Sequence, residues 1–197
     1  VWDVGANVGL FAMAARHHSG PGGTVVAMEA DHDAVSLLFA TVRHGGDGLT
    51  VLPIAVSHED GFVRFAIAKR ARAANAIEGF GSTQTGGVLE TRTLPSRSLD
   101  SLMEHFPAPN VLKIDVEGAE LEVLRGASRL LAHSRPRIYC EVTAQTCADV
   151  THLLHGFGYR TFDGESYGTA HPSAVRPGTT NMVAIHSSEE ERQRSGS

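Results

Sequence analysis

Apolar residues in this chain gather in short runs of strand length, separated by stretches where they recur at helical spacing. The runs are Val1–Val4, Thr24–Met28, Thr50–Ala55, Val111–Val116, Arg137–Val142 and Met182–Ile185, with Phe62–Ile67 between the third and fourth. Leu121, Leu124, Ala127 and Leu131 keep a helical spacing, as do Val150, Leu153, Leu154 and Phe157. Asp33 stands where it can cap a helix that carries Val35, Leu38 and Val42 on one face. Alternating strands and helices predict an α/β domain, doubly wound around a mostly parallel sheet.

One segment breaks the rhythm. Lys69–Pro95 contains "EGFGSTQTGG", rich in Gly, Ser and Thr and without periodicity. It reads as a long loop, either a lid or binding loop or a plain surface excursion. The end of the chain, "SSEEERQRSGS", is polar and is expected to be disordered. The domain is therefore expected to run over residues 1–187, with 188–197 as a tail.

Composition narrows the class. At 197 residues the chain fits one domain with a sizeable core. A net charge of −5 offers no electrostatic footprint for nucleic acid. No apolar run approaches the ~20 residues of a membrane helix, and no signal-peptide pattern is present. Cys140 and Cys147 lack metal-type spacing and read as free thiols, so a reducing cytoplasmic compartment is the default. The chain begins without Met, inside a strand, and is expected to be a fragment or a processed product.

The opening "VWDVGANVGLFAMAA" is a strand, a glycine turn and a helix. Gly5 allows close backbone approach to a ligand, and Gly9 allows the helix to pack on the strand. Asn7 stands where dinucleotide folds usually have a glycine, and Asn is among the few other residues that tolerate a left-handed conformation. The next strand, "GTVVAMEAD", ends in Glu29, twenty residues after Gly9. A carboxylate there is placed to accept ribose hydroxyls, which points to an adenosine-containing ligand. The third glycine of a GxGxxG pattern is missing, and Asp3 brings negative charge to the turn. That charge suits the cationic amino-acid portion of S-adenosylmethionine better than a pyrophosphate.

A second motif, "NVLKIDVEGAELEVLRGA", runs a buried strand into Asp115, Glu117 and Gly118. Two carboxylates at a strand's C-terminal end lie where open α/β sheets bind ligands. Lys113 falls inside that strand, on the face of Val111 and Asp115, and calls for a carboxylate partner.

"DVGANVG", "VVAMEAD", "LKIDVEGAELEVLRGA" and "IYCEV", with "SLDSL" at Ser98–Leu102, together resemble the FkbM-type family of S-adenosylmethionine-dependent methyltransferases. The resemblance runs from Asp3 to about Ile185. It implies a seven-stranded Rossmann-like class I methyltransferase sheet with the last strand antiparallel. The usual reaction it implies is O-methylation of a hydroxyl on a sugar or secondary metabolite, a small-molecule acceptor. It also implies that Asp3, Gly5, Asn7 and Gly9 surround the methionine portion, that Glu29 holds the ribose, and that Ala30 lines the adenine. Ala55 and Val56 form the other adenine wall. Asp115, also counted as a cofactor contact, and Glu117 face the methyl-transfer centre, with Glu141 beside them. Two departures are expected to matter. Many related enzymes have chain before the first strand that helps cover the site, which this sequence does not show. The adenine side lacks an obvious acidic residue after "PIAV", so that contact is expected to be mainly backbone.

Methyl transfer to a hydroxyl requires positioning and a base. Glu117, Asp115 and Glu141 are the catalytic candidates, with His58 as a further one. Clustered carboxylates also suit Mg²⁺, but no ligand spacing compels a metal and none is assigned. Two other readings stay open: a nucleotide-binding oxidoreductase, and a non-catalytic module that binds S-adenosylmethionine or a partner.

Overall fold

The computed structural model describes residues 1–43, 48–69, 75–80 and 86–189. In chain order its strands are β1 (Trp2–Val4), β2 (Val25–Met28), β3 (Leu49–Leu52), β4 (Ala55–Val56), β5 (Gly61–Ala68) and β6 (Ala76–Ile77). There follow β7 (Val88–Arg97), β8 (Val111–Ile114), β9 (Arg137–Glu141), β10 (Tyr159–Asp163) and β11 (Asn181–His186). The helices are α1 (Leu10–His18), α2 (His32–Arg43), α3 (Leu99–Leu102), α4 (Glu120–Arg125) and α5 (Cys147–Gly156).

Seven strands form one sheet in the order β10-β11-β9-β8-β1-β2-β3. The wholly buried β1 lies at its centre, parallel to β2 and β8, while β11 runs antiparallel to both β9 and β10. From β1 the chain builds outward to β3, then returns to lay β8 and β9 on the other side of β1. A ligand crevice is expected at such a reversal, beyond the strands' C-terminal ends.

Period-2 alternation explains the two cores. On one face Trp2, Val4, Leu112, Ile114 and Ile138 pack against Leu99, Val123, Leu124, Val150 and Leu154 from the later helices. On the other, Val25 and Ala27 pack against Ala12 and Leu38 of α1 and α2. Cys140 and Cys147 are both buried free thiols. No helix among the described residues is long and apolar enough to cross a membrane.

Several expectations need correction. The Thr50–Ala55 run splits into β3 and β4 around Pro53, which has no N–H for a ladder. Phe62–Ile67 belongs to β5 of a second, four-stranded sheet, β4-β7-β5-β6, and the seventh strand of the main sheet is β10. Lys69–Pro95 is not a loop throughout, because its described part includes β6 and most of the ten-residue β7. Residues 70–74 and 81–85 of that segment lie outside the described residues. The cap of α2 is Asp31, whose Oδ1 accepts the Asp33 N–H at 2.9 Å, so Asp33 sits in the first turn. Glu189 of the expected tail reaches back to Arg137 at 2.6 Å, and 190–197 lie outside the described residues.

Gly126 ends α4 against the residues that follow β4. A Cβ there would stand 2.4 Å from the Ser57 carbonyl oxygen and 3.0 Å from His58 Cα. Backbone cannot yield as a side chain can, so Gly126→Ala should cost roughly 1–3 kcal/mol. An unchanged thermal midpoint would refute this tight contact.

Candidate functional site

After β1 the chain turns through Gly5, Asn7 and Gly9, all at positive φ (75°, 51° and 90°), into α1. The Gly5 and Ala6 N–H groups both donate to the Met28 carbonyl at 3.0 Å, which ties the turn to β2. A Cβ on Gly5 would fall 1.7 Å from the Asp115 carbonyl oxygen, so only glycine lets the two strand ends meet. Gly9 serves packing, since a Cβ there would press Leu38.

Glu29 follows β2 and is nearly buried. Its Oε2 accepts the Asn7 N–H and its Oε1 the Asp31 N–H, each at 2.7 Å. Burial pushes its carboxyl above the usual range, against the pull of these backbone donors. Asp31 is held in turn: Asn75 donates from Nδ2 to its Oδ2 at 2.6 Å, while Asn75 Oδ1 accepts the Ala68 N–H at 2.8 Å. The second sheet is thereby fastened to the end of β2.

Around this corner lies a cavity of about 300 Å³. Of the expected site residues, Gly5, Asn7, Glu29, Ala30, Ala55, Val56, Asp115 and Glu117 line it. Asp31, Phe65, Asn75 and Ile77 line it too and were not anticipated. Asp31 was legible in "EADHD" as a second acid next to Glu29, but Phe65, Asn75 and Ile77 arrive only through the second sheet. Asp3 and Gly9 do not line the cavity. Asp3 is fully buried below the turn, where Lys113 Nζ lies 3.3 Å from its Oδ1. The same ammonium lies 3.1 Å from Asp115 Oδ2 and donates to the Gly5 carbonyl at 3.0 Å. Burial lowers the Lys113 pKa, but the two carboxylates outweigh it and the group stays above its ordinary value.

Asp115 is shared with a second cavity of about 330 Å³, lined also by Lys113, Tyr139, Glu141, Tyr167 and Asn181. Acidic side chains therefore collect where the two cavities meet. Glu117, held at φ 54° before Gly118, has its carboxyl pushed up to about 7, by burial first and then by Asp115, Glu141 and Glu120. Glu141 is likewise raised, by burial and by a hydrogen-bonded Asp115. Glu120 Oε1 accepts the Gly118 N–H at 2.7 Å and fixes this turn. His58 lines neither cavity and instead meets Glu122 at 2.8 Å. Among the described residues no group of three or more His, Cys, Asp or Glu side chains is arranged to hold a metal ion.

This seven-stranded sheet, with its crevice at the reversal beside β1, is the Rossmann-like architecture of methyltransferases. A methyltransferase FkbM from Methylobacillus flagellatus KT superposes with a TM-score of 0.63 at 18% identity, over 94% of this chain and 42% of that one. A precorrin-6y C5,15-methyltransferase from Geobacter metallireducens GS-15 superposes with 0.53 at 15% identity, over 93% and 78%. At those identities the likeness is one of fold. The family is shown by sequence: residues 3–161 match the Methyltransferase FkbM domain, and the chain belongs to that family of methyltransferases. It is also similar to a hexuronic acid methyltransferase, AglP, of Haloferax volcanii, at 31% identity over 133 residues. That match covers 66% of this chain and 51% of the relative, so the chain spans about half the relative's length.

Proposed function

We propose that the chain is an S-adenosylmethionine-dependent O-methyltransferase acting on a hydroxyl of a sugar or a similar polyhydroxylated small molecule. One observation carries the reading: Glu29, anchored by the Asn7 and Asp31 N–H groups, stands in a cavity that ends at Asp115 and Glu117. The Glu29 carboxylate accepts backbone N–H groups, and with about four lone-pair sites on its two oxygens it keeps capacity for a ribose hydroxyl. Ala30, Ala55, Val56 and Ile77 offer the apolar wall that an adenine requires. The acidic end suits a sulfonium and an ammonium, so the residues present fit the group.

When bound, S-adenosylmethionine supplies a methyl on a sulfonium that is open to in-line displacement. The second cavity holds the acceptor so that its hydroxyl meets the acidic junction, and orientation of this kind supplies about 7–11 kcal/mol of barrier lowering. Glu117 accepts the hydroxyl proton on a carboxylate oxygen. Asp115, held by Lys113 at 3.1 Å, orients the hydroxyl, with Glu141 on the acceptor side. The similarity to a hexuronic acid methyltransferase supports a sugar acceptor.

Calorimetric titration with S-adenosylmethionine, followed by labelled methyl transfer onto a panel of hydroxylated sugars, tests the reading. Glu29→Ala should weaken cofactor binding by about 1.5–3 kcal/mol, the worth of hydrogen bonds to a charged acceptor. Equal affinity in variant and parent would put the ribose site elsewhere. Binding without transfer to any acceptor would favour a non-catalytic module.

A further inference from the structure

The second sheet has an open side. β5 runs along one edge of β7, but on the other β4 pairs only with Ser96 and Arg97. Among the described residues nothing pairs with that outer edge from Val88 to Pro95. The Arg97 carbonyl points outward, accepting the Ser57 N–H at 3.1 Å. By the two-residue period of a strand, the N–H and C=O groups of Thr91 and Thr93 face the same open side. Val88 and Leu89 are 52% and 64% exposed. A bare strand edge of this kind is a template for another strand.

We propose that this edge pairs, antiparallel, with the same edge of a second copy of the chain, about a two-fold axis at Thr91. Charge selects that register. Centring the pair on Thr91 sets Glu90 opposite the partner's Arg92, and Arg92 opposite the partner's Glu90. Each Thr91 then faces its own copy. The backbone agrees, because the outward groups of Thr91 fall in a hydrogen-bonded pair. Within one strand Glu90 and Arg92 already touch and so share a face, which makes the four charges one alternating ladder.

Both ends of the strip are closed. Pro95 has no N–H to offer. At the other end the β5–β7 register shifts at Ile67/Ala68, and Gly86 and Gly87, at φ 71° and 96°, turn the chain away. A self-complementary strip bounded at both ends gives a closed dimer rather than a fibre. One strand pair buries little surface, so the dimer belongs to the weak, concentration-dependent class.

Sedimentation velocity of the 197-residue chain over roughly micromolar to several hundred micromolar concentrations tests this. The parent should pass from monomer to dimer. Glu90→Lys or Arg92→Glu turns two attractive cross-strand pairs into repulsive ones and should raise the dissociation constant about tenfold or more. The double exchange Glu90→Arg/Arg92→Glu should restore association to within about threefold, since it rebuilds the same ladder. Amide exchange at Thr91 and Thr93 should slow as the parent is concentrated, a readout that does not depend on any variant folding. A parent that stays monomeric, single variants that associate like it, a double exchange that fails to restore it, or unprotected Thr91 and Thr93 amides would each overturn the proposal.

Discussion

Glu117→Gln should lower kcat by about 10²-fold or more while leaving S-adenosylmethionine affinity within about twofold. The exchange is nearly isosteric and leaves the φ of 54° no worse served, so it removes a base without rebuilding the turn. Burial, then Asp115, Glu141 and Glu120, hold the Glu117 carboxyl near 7. A base works ionised, so the parent's kcat/KM should rise with pH through about 7, and that limb should vanish in the variant. Stability should move the other way. A carboxyl raised above its ordinary 4.5 favours the fold when protonated, so its contribution is whole below 4.5 and lost as pH rises through about 7. Above that pH the variant, spared the repelled charge, should melt higher than the parent. A residue that only caps the following helix predicts the reverse, lower stability with an intact rate. Near-normal turnover in Glu117→Gln would end its assignment as the base.

What the sequence could reveal follows from where the controlling physics is local. β1, β2, β8 and β9 were legible because buried central strands demand apolar runs, and Glu29 and Asp115 stood out as charges at the ends of such runs. β7 was not. Between Leu89 and Leu94 it reads Glu-Thr-Arg-Thr, so no apolar alternation marks a strand, although Arg92 and Leu94 alternate, half-buried, with exposed Thr91 and Thr93. Its strand character comes from pairing with β5, a contact between residues about thirty apart. The same sheet brings Phe65 to the first cavity on β5, and Asn75 and Ile77 through the pairing of β6 with β5, so the wall it builds was hidden too. β10 alternates Tyr159 and Thr161 inward with Arg160 outward, and two inward residues are too few to announce a strand. Asp31 and Asp33 are equally good caps by composition. The backbone at the end of β2 decides for Asp31, because Glu29 already binds its N–H and holds it at the helix start.

Lys113→Met should destabilise the protein by about 3–5 kcal/mol, the cost of leaving a buried charge without its partner. In β8, Lys113 was recognisable from sequence as a charge in need of a carboxylate, and it has two. Asp3 is fully buried in the central strand, with the ammonium 3.3 Å from Oδ1 and no hydrogen bond of good geometry to either oxygen. Burial already holds the Asp3 carboxyl above its ordinary value despite Lys113, and removing the ammonium should drive it higher. Such a carboxyl favours the fold when protonated, so the deficit of the variant should shrink as pH falls and widen as pH rises. Adding Asp3→Asn removes the stranded charge, and Lys113→Met/Asp3→Asn should recover most of the loss. Denaturant unfolding of the parent and both variants at two pH values tests each part. A single variant within about 1 kcal/mol of the parent would show the Asp3–Lys113 pair to be dispensable. The consequence for the site is direct. Lys113 is also ion-paired with Asp115 and a donor to the Gly5 carbonyl, so one buried ammonium joins the glycine turn to the acidic edge. The geometry that brings Glu117 and Asp115 to the cavity therefore depends on a side chain that does not line it.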